Sequence, residues 1–132
     1  MQHIHPNSLV TLKIPLIPIR ESCLPLSSII VGRKKSMGSF ALSWSKDRYI
    51  ALFTQKTHDN DLPKEKDLNK IGSVFKILRR IKIPGKKVIL ELEGVSCVQM
   101  LRFYDEEEAM YADVKIIHDN EEILKKPIDK LP

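Results

Sequence analysis

The chain has 132 residues, of which 42% are hydrophobic and 30% are charged, and its formal net charge is +5. This length fits a single domain, the apolar fraction excludes wholesale disorder, and no apolar run approaches the ~20 residues of a membrane-spanning helix. The two cysteines and the absence of a secretory pattern at the N-terminus are typical of reduced thiols in a cytoplasmic protein, so we expect a cytoplasmic location.

The beginning of the chain predicts a leader followed by two irregular strands. Residues 1–8 are polar without periodicity, and we expect them to be a flexible leader. Residues 9–19 are apolar and extended. Because proline donates no backbone hydrogen bond, Pro15 and Pro18 predict an edge strand or an irregular strand here. A second apolar, extended run covers residues 24–31.

The next segments predict one helix, one strand and a long loop. Apolar residues recur at helical spacing over residues 35–46, where Ser36 is the predicted N-cap and Gly38 weakens the helix. Residues 49–54 are rich in strand formers. Residues 55–70 are polar and charged, which predicts a connecting loop with one helical turn at most.

The second half of the chain predicts a long β-hairpin and two further strands. Residues 71–83 fit a helical stripe and a strand face equally well, but the turn signal Pro84-Gly85 and the alternating residues 87–93 favour a hairpin. Residues 95–103 and 109–117 are the further strands. The predicted core includes five large side chains: Phe40, Trp44, Phe53, Phe75 and Leu90.

Motifs for catalysis or for cofactor binding do not occur in this sequence. Neither G-x-x-x-x-G-K-[ST] nor G-x-G-x-x-G is present, and no serine lies in a G-x-S-x-G turn. His3 and His5 lie two residues apart, where adventitious metal binding is the alternative to a flexible leader, and the leader is favoured; His58 and His118 lack partners at metal-ligand spacing. The acidic run 105–108 is interpreted as a solvated loop. We therefore expect no enzymatic activity, no cofactor and no metal site in this chain.

Charge is unevenly distributed along the chain. Residues 64–87 contain nine basic and two acidic residues, a net charge of +7, whereas residues 91–122 contain two basic and ten acidic residues, a net charge of −8. On a strand, Lys76, Arg80 and Lys82 would share one face. Such a basic surface suits RNA phosphates or a solvated rim, and the rim is favoured because no aromatic residue is predicted on that face.

Five segments, read in order, resemble motifs of one family, the N-terminal domain of Lon, the ATP-dependent protease. They are residues 14–20 (IPLIPIR), 31–36 (VGRKKS), 50–56 (IALFTQK), 67–74 (DLNKIGSV) and 77–94. Order and spacing agree over about residues 12–118. The chain departs from the family in a shortened stretch before the VGR motif and in a helix weakened by Gly38 and Ser39. The catalytic modules of Lon have no counterpart in these 132 residues.

The resemblance implies a fold and a function. The implied fold is mainly β (α+β): a PUA-like six-stranded pseudo-barrel with one packed α-helix, over residues 9–118, with residues 119–132 starting a truncated linker or helical segment. The implied function is non-catalytic recognition of unfolded or damaged protein clients for an ATP-dependent Lon-type protease. The implied partners are those clients, the AAA+ and protease modules and further copies of the chain, and the alternative is a PUA-like RNA-binding module.

Recognition of unfolded chains requires accessible apolar side chains. The segment 24–30 is the predicted binding site because Pro25 disfavours regular pairing and leaves the backbone able to receive an extended peptide. Its aliphatic residues are Leu24, Leu26, Ile29 and Ile30. For Ile29 and Ile30, completion of the barrel core is the alternative. The predicted basic rim of the site consists of Lys76, Arg80, Lys82, Lys86 and Lys87.

Overall fold

The computed structural model describes residues 12–20, 27–57 and 59–119. Its elements, in chain order, are β1 (Leu12–Ile19), β2 (Ser28–Val31), α1 (Lys34–Trp44), β3 (Tyr49–Thr54), a 3-10 turn (Glu65–Asp67), β4 (Ile71–Ile83), β5 (Lys87–Asp105) and β6 (Met110–Asp119). The predicted leader (1–8) lies outside the described residues, as does the predicted C-terminal segment after Asp119. No helix in the described ranges is both long and apolar enough to cross a membrane.

The six strands form one sheet that closes on itself. The strand order is β2-β5-β4-β3-β1-β6, and an additional pairing of β5 with β6 closes five of these strands into a barrel. Strand β2 adds to the outside of this ring, antiparallel to the first part of β5. The structure therefore confirms the predicted fold class: mostly strands, with one α-helix packed on them.

The predicted hairpin is present and is longer than the sequence indicated. Strands β4 and β5 pair from Ile71 to Ile83, and the chain reverses over residues 84–86. Gly85 (φ +87°) and Lys86 (φ +58°) adopt the left-handed conformation that a tight turn requires. The predicted separate strand at residues 95–103 is wrong, because β5 runs on without a break as one strand of 19 residues.

A β-bulge lets β5 contribute to two hydrophobic cores. Val74 pairs with Ser96 whereas Phe75 pairs with Gly94, so Val95 is an extra residue on β5. An extra residue shifts the alternation of a strand by one, and side chains of the same parity then point to the opposite face of the sheet. Even-numbered residues of β5 therefore face one core before Val95 and the other core after it.

The two cores lie on opposite faces of the sheet. The inner core fills the barrel and contains, among others, Leu16, Phe53, Val98 and Val114. The outer core lies between the sheet, β2 and α1, and contains, among others, Ile17, Phe40, Ile50, Phe75 and Leu90. Four of the five predicted core side chains are buried. The prediction for Trp44 is wrong, since it is only partly buried at the edge of the outer core.

Strand β1 contains two prolines although it lies between two other strands, β3 and β6, in the sheet. Residues 12–16 pair with β6 and residues 16–19 pair with β3, so each proline has a neighbouring strand on one side only. The carbonyl of Pro18 accepts a hydrogen bond from Arg33 (2.7 Å), outside the ladder. The predicted edge strand is therefore wrong, and the irregular strand is the correct alternative.

Helix α1 is fixed to the barrel by its small residues. The N-cap is Arg33, without a side-chain capping bond, so the prediction of Ser36 as the cap is wrong: Ser36 lies inside the first turn and is buried. A Cβ atom on Gly38 would lie 1.8 Å from the carbonyl oxygen of Glu108. Ser39 accepts a hydrogen bond from the backbone of Met110 and donates one to it, both at 3.1 Å. The residues that weaken the helix therefore allow its close packing.

Candidate functional site

A groove of about 900 Å³ lies between the end of β1 and β2. Aliphatic side chains from both strands line it: Ile17, Ile19, Ile29, Ile30 and Val31. Their exposure differs. Ile17 and Val31 are buried in the outer core, Ile19 and Ile29 pack against it, and Ile30 is 66% exposed. The groove is thus an apolar surface that is continuous with the core beneath it.

The edge of β2 that faces away from β5 borders the groove. Within the described residues, β2 pairs only with β5, and the register of that ladder gives the orientation of the free edge. The N–H of Leu92 donates to the carbonyl of Ser27, which makes this a hydrogen-bonded pair. Since such pairs alternate along an antiparallel ladder, the N–H and C=O groups of Ser28 and Ile30 point away from β5. These backbone groups are available to an added strand.

Arg33 forms the end of the groove beside helix α1. Its Nη2 donates to the Pro18 carbonyl oxygen (2.7 Å), and its Nη1 donates to the Oε1 of Gln55 (2.8 Å) and to the backbone carbonyl oxygen of Asp61 (3.5 Å). Gln55 is itself buried and fixed by the loop that follows β3. The Arg33 side chain therefore extends from the start of α1 to β1, and these hydrogen bonds hold its guanidinium group in place.

The electrostatic environment of the groove is positive. Arg20, Arg33 and Lys87 line it, and no acidic side chain is among the described residues that do. Partial burial, followed by repulsion from Arg20, lowers the pKa of Arg33 below its ordinary value, while attraction to Asp61 opposes this shift. Arg20 pairs with Asp61 (2.5 Å) outside the groove. The groove thus suits an apolar ligand that carries negative charge.

The structure separates the predicted aliphatic site residues. Ile30 is exposed, so the alternative that it completes the core is wrong, whereas Ile29 is partly buried and packs against the outer core rather than the core inside the barrel. Leu24 and Leu26 lie outside the described residues, and their role stays a prediction. Arg33 belongs to the VGRKKS motif, but no local pattern predicts it as a groove residue, because its contacts are with residues distant in the chain.

The predicted basic rim does not form one surface. Ile77 pairs with Leu92 and Arg79 with Glu91, so Leu78 is an extra residue on β4 that reverses the alternation. Lys76 therefore lies on the opposite face from Arg80 and Lys82, and the prediction that the three share a face is wrong. Of the two lysines near the turn, Lys87 lines the groove and Lys86 does not.

Aromatic rings lie beneath several of these cations. The guanidinium carbon of Arg48 lies 3.8 Å from the centre of the Trp44 ring, and that of Arg80 lies 5.1 Å from it. The Nζ of Lys76 lies 5.2 Å from the centre of the Tyr49 ring. The sequence-based expectation that no aromatic residue accompanies the basic hairpin is therefore wrong. Trp44 belongs to α1, and only tertiary packing brings it to the hairpin.

Two further cavities carry charges of both signs. One, of about 640 Å³, is lined by residues of β1, α1 and β6, and at its edge the Nζ of Lys13 lies 3.7 Å from Glu106 and 4.9 Å from the ring centre of Tyr111. Burial, together with Glu106, raises the pKa of Tyr111. The other, of about 240 Å³, lies at the start of α1. No group of three or more His, Cys, Asp or Glu residues in the described part of the chain is placed to hold a metal ion.

Comparison of the sequence with known families gives one match over most of its length. The family described as the ATP-dependent protease La (LON) substrate-binding domain matches residues 13–131. The chain is 32% identical over 109 residues to the Lon protease of Buchnera aphidicola subsp. Schizaphis graminum, and 33% identical over 107 residues to that of Buchnera aphidicola subsp. Acyrthosiphon pisum. These alignments cover 80% and 79% of the chain but only 14% of each relative, so the chain spans about a seventh of their length.

Solved structures share the fold at low sequence identity. The chain is similar to the N-terminal domain of a Mycobacterium avium complex Lon protease (TM-score 0.60, 11% identity), with 80% of the chain and 55% of that structure covered. It is also similar to a Lon N-terminal domain protein of Xanthomonas campestris (TM-score 0.62, 12% identity), with coverages of 83% and 62%. At these identities the structural likeness is one of fold.

Proposed function

The chain belongs to the family of the substrate-binding domain of ATP-dependent protease La (Lon), and we propose that it binds unfolded or damaged proteins for degradation and is itself non-catalytic. One observation carries the proposal: an exposed aliphatic side chain, Ile30, lies on a strand whose outer edge has no pairing partner among the described residues and borders an apolar groove. Unfolded clients present the complementary groups, which are apolar side chains and unpaired backbone.

Strand addition at β2 is the proposed mode of binding. An extended client segment would accept and donate backbone hydrogen bonds at Ser28 and Ile30, whose polar groups point away from β5. Backbone bonds are independent of client sequence, and this property is what a recogniser of diverse unfolded chains needs. The aliphatic groove residues add apolar burial, at about 25 cal/mol per Å².

The parent machinery is a further part of the proposal. Since the chain spans about a seventh of its curated relatives, we propose that ATP hydrolysis and peptide cleavage belong to AAA+ and protease modules with which this domain associates. We also propose that copies of the domain come together in that assembly. We also propose a cytoplasmic location, as expected for a chain with two cysteines and no disulfide framework in its sequence.

The test distinguishes the contribution of the β2 backbone to client binding from the contribution of its side chains. Ile30→Pro removes an N–H that points to the free edge and leaves the bonds to β5 in place, whereas Ile30→Ser removes only the side chain. The ligand is a reduced and alkylated, permanently unfolded protein, and binding is measured by fluorescence anisotropy. We expect Ile30→Pro to weaken binding about tenfold or more and Ile30→Ser to weaken it less.

Two further variants complete this experiment. Leu62→Ser is the matched control, because Leu62 is 72% exposed and lies outside the groove, and we expect its binding to be unchanged. The double variant Leu24→Ser, Leu26→Ser tests the two remaining predicted residues, and we expect weaker binding. If a folded Ile30→Pro variant binds as tightly as the wild type, strand addition at β2 is refuted.

A second candidate function, RNA binding, is favoured by the arginines over Trp44. An arginine close to an aromatic ring can also stack on a nucleobase, and the guanidinium carbons of Arg48 and Arg80 lie 3.8 Å and 5.1 Å from the centre of the Trp44 ring. Phosphate binding depends steeply on salt concentration. A salt titration with single-stranded RNA distinguishes the two functions: an affinity that falls by orders of magnitude with salt favours RNA, whereas no RNA binding at low salt leaves client recognition.

A further inference from the structure

We infer that the groove selects the carboxyl-terminal end of an extended client, and that Arg33 binds the terminal carboxylate. This inference rests on the proposed function, because it specifies which part of a client occupies the edge of β2. It follows from two properties of the groove, its closed end and the bonding of the guanidinium at that end.

The groove ends where Arg33 reaches β1. Pro18, Arg33 and Ser36 line both the groove and the smaller cavity at the start of α1, so the hydrogen bond from Arg33 to the Pro18 carbonyl (2.7 Å) lies where the two spaces adjoin. A peptide that adds to β2 and runs from Ser28 towards Val31 meets this bridge. It would have to break the bond to continue, so the segment that fits without rearrangement is one that stops there.

The direction of the added strand follows from this geometry. A client whose last residue lies beside Val31 runs parallel to β2, and its carboxylate arrives at the Arg33 end of the groove. An internal aspartate or glutamate would bring its carboxylate to the same place only with the chain turning out of the groove. The closed end therefore favours a terminal carboxylate over an acidic side chain.

The bonding of Arg33 leaves its charge for a ligand. Its three hydrogen bonds go to amide oxygens, those of Pro18, Gln55 and Asp61, all of which are uncharged. These bonds use three of the five guanidinium N–H donors. None of the ion pairs in the described part of the chain includes Arg33. Partial burial, followed by repulsion from Arg20, lowers the pKa of this cation.

The experiment compares two peptides on the wild-type chain. Both are an uncharged ten-residue sequence of valine and serine with a fluorophore at the amino end, and one has a free carboxylate where the other has a carboxamide. A hydrogen-bonded ion pair typically contributes enough to change affinity about tenfold or more. We expect the amide to bind at least tenfold more weakly. Equal affinities of the two peptides overturn the inference, and this comparison requires no variant that might misfold.

Variants then assign the effect to Arg33. In Arg33→Gln the two peptides should bind with equal, low affinity, while Arg33→Lys, which keeps the charge, should retain part of the difference. Lys86→Gln is the matched control for loss of one positive charge outside the groove and should retain the full difference. A third peptide, amidated but carrying an internal glutamate, should bind like the amide. If it binds like the free acid, the groove binds acidic side chains as well as a terminal carboxylate, and the inference is wrong.

The outcomes are distinguishable from those that test the proposed function. If the unfolded protein binds and is weakened by Ile30→Pro, but the acid and the amide bind alike, client recognition stands and terminal selection fails. If neither the unfolded protein nor either peptide binds the wild type, the proposed function fails and the inference fails with it.

Discussion

Replacing Gly38 by alanine should destabilise the protein, although helix propensity alone predicts the opposite. Alanine favours the interior of a helix by about 1 kcal/mol relative to glycine. In the folded protein, however, the new Cβ would lie 1.8 Å from the carbonyl oxygen of Glu108 and 2.9 Å from its carbonyl carbon. Both are backbone atoms, so the clash is not relieved by rotation of a side chain.

The loop that contains Glu108 has little freedom to retreat. Its turn is closed by a hydrogen bond from the N–H of Glu106 to the carbonyl of Ala109 (3.0 Å), and Ala109 and Met110 are buried. Movement of the loop away from α1 would stretch the two bonds between Ser39 and Met110. Overpacking costs about 1–3 kcal/mol and each lost hydrogen bond about 0.5–1.5 kcal/mol. After subtraction of the propensity gain, we expect a net loss of about 2 kcal/mol.

Urea unfolding followed by circular dichroism measures this loss. With a slope of about 1–3 kcal/mol per molar urea, a loss of about 2 kcal/mol lowers the midpoint by about 1 M. Gly32→Ala is the matched control, because its Cβ would meet only the flexible Lys87 side chain at 3.0 Å, and its stability should change by less than about 0.5 kcal/mol. A Gly38→Ala variant as stable as the wild type would refute the close approach of α1 to the Glu108 loop.

Three further predictions concern the cores, the bulge and catalysis. Phe75→Ala should lower the free energy of unfolding by about 3–5 kcal/mol because Phe75 is buried in the outer core, whereas Leu62→Ala, at an exposed position, should change it little; similar midpoints for both would contradict the assignment of the core. Deletion of Val95 should abolish cooperative thermal unfolding, since it reverses the facing of the second part of β5, and a sharp transition at the wild-type temperature would show that the bulge is dispensable. The purified chain should hydrolyse neither ATP nor casein in coupled and fluorogenic assays, because its sequence has no phosphate-binding loop; activity that copurifies with it would refute this.

Local patterns in the sequence were sufficient for several elements. Strand β3 coincides with the run of strand formers at residues 49–54, and the hairpin follows from Pro84-Gly85 between two apolar segments. These features depend on residues close together in the chain, where alternation and turn chemistry act directly. The ordered motifs of the family added the barrel, which residue patterns alone did not supply.

The candidate site was only partly predictable. The apolar composition of residues 24–30 indicated a binding segment, and the exposure of Ile30 agrees with it. Whether Ile29 or Ile30 faces the core depends on the register of β2 against β5, and a single apolar run of this kind does not fix the register. The sequence likewise gave no means of seeing that Lys87, and not Lys86, lines the groove.

By itself, the sequence determined four features of the protein: its high strand content, the hairpin, the family and the unequal distribution of charge. Each of them depends on neighbouring residues or on motifs in a fixed order. Only the tertiary structure decided the closure of the barrel, the bulge at Val95 and the position of Arg33, which reaches Gln55 across 22 residues of chain. It also showed that Gly38, which weakens the helix, is needed for packing, because a Cβ atom at this position would clash with the carbonyl oxygen of Glu108. Such contacts join residues far apart in the chain, where packing and hydrogen bonding outweigh local propensity and leave no periodic signal.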